Sequence, residues 1–131
     1  MSASSVVPKL DYQVPKPDDR DFVFQLSESD KNSSLVESAN LSTLVLPVNR
    51  VESQGQRGSC TSFALTTAFE NLIAVVTGDT SFQSSPLFNY TLSRILDSVK
   101  LSDDPGTTLR SACGNLRLSG AAQEVTWPYT D

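Results

Sequence analysis

The sequence contains no histidine, and its 131 residues include only two cysteines, one tryptophan and one methionine. The missing histidine removes the commonest general base, so proton transfer near neutral pH falls to another group or another chain. Two cysteines, Cys60 and Cys113, allow at most one disulfide, too few for a secreted disulfide framework. Basic residues are also scarce. Lys and Arg number 10 against 15 Asp and Glu, for a net charge of -5. They are scattered, which argues against nucleic acid and anionic membrane as partners. No run of residues approaches the ~18 apolar positions of a membrane span. The start, Met-Ser-Ala-Ser-Ser-Val-Val-Pro, lacks the charge and apolar core of a secretory signal. A cytoplasmic protein with reduced thiols, no metal and no cofactor is expected.

What is there is enough for one domain. Residues 1–45 are rich in Ser, Asp and Pro, with Pro8, Pro15 and Pro17 breaking any helix. They read as an extended, partly ordered arm, in which Phe22, Val23, Phe24 and Leu26 are suited to docking as a strand. Residues 46–131 read as the folded body. A first helix is expected from Cys60 to about Val76, with Ser59 near its N-cap and Gly78 as its stop. Cys60, Ala64, Ala68 and Leu72 share one face, and Leu65, Phe69, Ile73 and Val76 the next. So wide an apolar arc predicts a central helix buried on most sides. A second helix is expected from Ser85-Pro86, repeating through Val99. A third runs from Thr107 or Thr108 to Gly120, with Leu109, Ala112, Cys113 and Leu116 as its stripe. Little signal for strands remains.

The chemistry concentrates in Gln54-Gly55-Gln56-Arg57-Gly58-Ser59-Cys60. A thiol at a helix start meets unpaired N–H groups and the positive end of the helix dipole, both of which favour an anion. The Cys60 N–H is itself placed to meet a developing oxyanion. Gln54 offers a second donor, an uncharged amide that forms no ion pair with a thiolate. Gly55 and Gly58 let the chain turn back so that donor and nucleophile converge. Cys113, on the apolar stripe of a helix, reads as a structural residue.

The Gln-Gly-x-x-Gly-Ser-Cys string followed by Phe63-Ala64 resembles the start of the active-site helix of papain-like cysteine peptidases. Ser85-Pro86-Leu87-Phe88 with Tyr90 and Arg94 is similar to the second helix of that family's microbial and viral branch. Asp104-Pro105-Gly106-Thr107-Thr108 resembles its substrate-lining segment, and Glu124 with Trp127-Pro128-Tyr129 its turn after the third helix. The resemblance spans roughly residues 15–131. It implies an α+β papain-like fold, of which this chain supplies the mainly helical left lobe. It implies Cys60 as nucleophile, Gln54 as oxyanion-hole donor, and Gly106 and Thr107 as contacts to an extended peptide. Two positions depart from the family: Thr61 stands where an aromatic residue is usual, and Arg57 where a bridged cysteine often stands.

The same resemblance sets the family's general-base histidine and its orienting asparagine in a second, β-rich lobe, beyond the Trp-Pro-Tyr turn. The expectation is therefore a cysteine-type peptidase present as an incomplete half, acting on a peptide or protein substrate and inactive alone. A missing second lobe is then its expected partner. The alternative expectation is a catalytically inactive, peptidase-like module that acts in binding or partner assembly.

Overall fold

The first helix opens at Cys60, where the loop of residues 54–59 ends. In the computed structural model, which describes residues 12–19, 27, 46–48 and 50–130, three helices follow in order. They are α1, Cys60–Thr77; α2, Pro86–Leu96; and α3, Leu109–Ser119. The chain divides into two units, residues 1–15 with 47–131 and residues 16–46. The described residues of the smaller unit form no helix or strand, and Asp19 lies in a turn. The docking segment expected at Phe22–Leu26 lies outside the described residues.

In the larger unit α2 packs on α3, and both pack on α1. Among the described residues there is no extended ladder, only two isolated bridges, Gln13 with Thr108 and Ser84 with Gln123. Each helix end has a local cause. Ser85 Oγ accepts the Phe88 N–H at 3.0 Å, and Pro86 fills the first turn of α2, where a missing N–H costs nothing. Thr108 Oγ1 accepts the Ser111 N–H at 3.0 Å and opens α3. Gly78, at φ 78°, closes α1 in the left-handed conformation that glycine adopts without a side-chain clash. The second helix ends three residues short of the expected Val99, because Ser98 turns to φ 57°.

The burial of α1 differs from the expected arc. Its covered side is mostly polar: Thr61, Ser62, Thr66, Glu70 and Asn71, with Ala74. Ala64, Ala68, Leu72, Val75 and Val76 lie exposed instead. Polar groups hold the covered side because each of the main ones finds a partner. Glu70, 3% exposed, accepts the Ser84 N–H at 2.7 Å and pairs with Arg50 at 2.8 Å. Arg50 also donates to the Phe82 carbonyl at 2.9 Å, so one carboxylate fixes both the lead-in to α1 and the connection to α2. Asn71 grips the lead-in like a neighbouring strand. Its Oδ1 accepts the Val48 N–H at 3.0 Å, and its Nδ2 donates to the Val48 carbonyl at 3.1 Å. The Val48 backbone thus pairs with a side-chain amide.

By length and average composition α1 is long and apolar enough to cross a membrane, contrary to the expectation from the sequence. Its buried, hydrogen-bonded Glu70 and Asn71 are those of a helix packed within a protein.

Cys113 is also placed differently. It is exposed, as is Leu109, while Ala112 and Asn115 form the covered side of α3.

Candidate active site

Cys60 is the first residue of α1, half-buried, with a free thiol. Helix geometry leaves the first N–H groups without an acceptor one turn back. The helix ladder accordingly begins later, with the Ser62 and Phe63 N–H groups donating to the Ser59 carbonyl at 3.0 and 3.1 Å. The Cys60 N–H makes no hydrogen bond among the described residues.

The loop before it is a tight knot around one carbonyl. The Arg57 oxygen accepts the Ser59 N–H at 2.8 Å and the Gln54 side-chain amide at 3.0 Å. The Arg57 N–H donates back to the Gln54 carbonyl at 3.3 Å. Gly55, at φ 58°, allows that reversal. Gln54 and Cys60 thus sit at the two ends of one closed turn, with the Gln54 amide held across it.

Ser59 precedes the helix but does not cap it through its side chain. Its hydroxyl lies 2.7 Å from the Tyr129 hydroxyl, and Tyr129 donates its one proton to the Gln54 carbonyl at 2.8 Å. Ser59 is therefore the donor in the first of these bonds. Tyr129 also meets Phe63 edge to face, with ring centroids 4.8 Å apart. The C-terminal aromatic turn therefore braces the loop from one flank.

Asp104 braces it from the other. One carboxylate oxygen accepts the Gly58 N–H at 3.0 Å, and the second accepts the Tyr90 hydroxyl proton. Tyr90 is fully buried in α2, and the Arg94 guanidinium lies 4.4 Å over its ring. Arg94 donates to the Leu101 and Asp103 carbonyls and so fixes the segment that carries Asp104.

Burial first, and then the bond to Asp104, push the Tyr90 phenol far above the usual tyrosine range. The folded chain therefore holds this proton more tightly than the unfolded chain. The stability it gives is complete below the unfolded value, at about pH 10, and is lost as pH climbs toward the folded one. Urea unfolding above about pH 10 is expected to show a steeper loss for the native chain than for Tyr90→Phe. Parallel slopes would contradict the assignment.

Gly106 and Thr107 follow Asp104 and are both buried. The Thr107 hydroxyl donates to Asp97 at 2.8 Å, and its carbonyl accepts the Thr61 hydroxyl at 3.2 Å. Thr107 is 0% exposed, with its hydroxyl and its carbonyl both used inside the lobe, so the contact to an extended peptide expected of it is not one this packing offers. Thr61, where an aromatic residue is usual in the family, fastens α1 to that segment.

The sequence reading singled out Cys60 and Gln54, which the structure places at the two ends of one turn, but not the braces around them. Asp104, Tyr129 and Ser59 were legible only as family-like residues. Nothing in their spacing, 46 and 70 positions from their partners, tied them to the loop.

The chain matches no protein-family model and no curated protein. Two solved structures are similar to it. Xylellain, a cysteine protease from Xylella fastidiosa, aligns over 93% of this chain with a TM-score of 0.73 and 27% identity. The Amb a 11 cysteine protease, a ragweed pollen allergen solved in its proform, aligns over 64% with a TM-score of 0.53 and 25% identity. The chain spans 43% of the first relative and 24% of the second, less than half of each.

Proposed function

Because the chain has the fold of the helical lobe of papain-like cysteine peptidases, we propose that it is the nucleophile-bearing half of a cysteine-type peptidase. The observation that carries the proposal is the first turn of α1. It presents a free thiol and an unengaged backbone N–H on the same residue, Cys60. In this reading the Cys60 sulfur attacks the carbonyl carbon of an extended peptide. The oxyanion that forms is met by the Cys60 N–H and the Gln54 amide. The C–N bond then breaks, leaving a thioester on Cys60, and water later releases the acid. The backbone at Gly106 holds the acyl half of the substrate.

The leaving amine needs a proton that no residue of this chain is suited to give, since the chain has no histidine. A second lobe supplying a histidine and an asparagine is therefore part of the proposal. The exposed stripe Ala64, Ala68, Leu72 and Val75 on the helix that carries Cys60 supports it, because contiguous apolar surface marks an interaction face. With both thiols free, a cytoplasmic location belongs to the same reading.

The test is selective alkylation. Partial burial raises the Cys113 thiol pKa, which leaves less reactive thiolate there although the residue is exposed. Iodoacetamide at neutral pH, followed by peptide mass mapping, is expected to modify Cys60 several-fold faster than Cys113. Equal or reversed rates would remove the activated nucleophile from the proposal.

The complete lack of histidine favours a second reading, a peptidase-like module that binds peptides without cutting them. The two separate when a histidine-bearing lobe is added: hydrolysis supports the first, and peptide retention without hydrolysis the second.

A further inference from the structure

A cavity of about 270 Å³ lies beside the nucleophile loop, lined by Glu52, Ser53, Phe63, Pro86, Glu124 and Tyr129. Four separate stretches of chain build it: the lead-in to Gln54, the first turn of α1, the start of α2, and the C-terminal turn. Each of its carboxylates is anchored by one oxygen. Glu52 Oε1 accepts the Gln83 amide at 2.6 Å, and Glu124 Oε1 accepts the Tyr129 N–H at 2.5 Å. Glu124 Oε2 is buried with no hydrogen-bond partner. Neither glutamate has an ion pair among the described residues, where the one such pair is Arg50 with Glu70.

Glu124 thus brings a negative charge to the cavity wall with no donor on its second oxygen, which favours a cation nearby although that oxygen is not itself open to the cavity. The remaining walls are Pro86 and the rings of Phe63 and Tyr129, fixed edge to face. Two anchored carboxylates over aromatic and aliphatic walls fit a cation carried on an apolar stem, whose charge lies near the carboxylates while its methylenes cover the rings. A bare divalent ion would find only two carboxylates and gain nothing from the rings.

We propose that this cavity receives the side chain of a lysine or arginine in a bound peptide. Its place along the peptide rests on the peptidase reading. The cavity is lined by Tyr129, whose hydroxyl donates to the Gln54 carbonyl, and Gly106 is not among its lining residues. With the acyl half along Gly106, the cavity takes a basic residue from the leaving-group half.

The test is an amide-resolved NMR titration of the whole chain with Nα-acetyl-lysinamide, alongside its uncharged analogue Nα-acetyl-norleucinamide and calcium chloride. Lysinamide is expected to shift residues 52, 53, 63, 124 and 129. Norleucinamide and calcium are expected to leave them in place. Glu124→Gln keeps an acceptor for the Tyr129 N–H but removes the charge, and it should weaken binding about tenfold. Glu52→Gln is the second variant, decisive if the first does not fold. Equal binding by norleucinamide, calcium shifts without lysinamide shifts, no shifts in the cavity, or unchanged affinity in the folded variants would each overturn the proposal. Iodoacetamide labelling of the same samples separates the two ideas. A reactive Cys60 beside a silent cavity defeats the subsite alone, whereas a lysine-selective cavity beside an inert Cys60 defeats its placement on a scissile peptide.

Discussion

Replacing Glu70 by alanine is expected to destabilise the chain by about 3 kcal/mol, a large share of the stability of a small domain. The carboxylate is 3% exposed and joins the lead-in to α1, at Arg50, to the connection before α2, at Ser84. Its loss leaves the Ser84 N–H without its acceptor in a residue that is 1% exposed. It also leaves Arg50 without its counter-charge, although that side chain is 35% exposed and water recovers part of the difference. Glu70→Gln separates the two contributions. The amide oxygen still accepts the Ser84 N–H, so the loss should fall to about 1 kcal/mol. Urea unfolding followed by circular dichroism reads both values. An alanine variant within about 0.5 kcal/mol of the native chain would show that Glu70 is not a structural tie.

The second large effect concerns chemistry. The chain alone is expected to cleave no peptide. Supplied with a histidine-bearing second lobe, fused or in trans, it is expected to hydrolyse one. In that assembly Cys60→Ala should abolish turnover, because no other group forms the acyl intermediate. Gln54→Ala should lower kcat by about a hundredfold to a thousandfold, the usual consequence of losing one oxyanion donor. KM should change far less, since the interaction is made with the transition state. A fluorogenic peptide assay checks all three. Full activity in Gln54→Ala would assign the second donor to another group.

How far the sequence carried these conclusions differs by level. The helix boundaries at Cys60, Pro86 and Gly120 were legible because caps, proline and glycine act locally. The closeness of Gln54 and Cys60 was legible for the same reason, since they lie six positions apart on one turn. The burial of α1 was not. Apolar periodicity assumes that the apolar face is the covered one, yet Thr66 is covered with its hydroxyl bonded back to the Ser62 carbonyl, and Glu70 and Asn71 are covered because partners distant in sequence pair with them. Val48, Arg50 and Ser84 supply those partners, and no spacing rule announces them. Cys113 was misplaced by the same assumption, since Ala112 and Asn115 take the covered positions of α3. The braces of the loop, Asp104 and Tyr129, depend on contacts across the whole lobe.

Asp104 has one consequence for handling the protein. Its two oxygens fasten the loop before Cys60 to α2 with no covalent link, beside Arg57, which stands where papain-like peptidases often carry a bridged cysteine. Thiol enzymes built on such a bridge face a conflict, because the reductant that keeps the nucleophile active also attacks the scaffold. Here the two demands are uncoupled. Dithiothreitol can hold Cys60 reduced at any concentration while the loop that presents it keeps its shape.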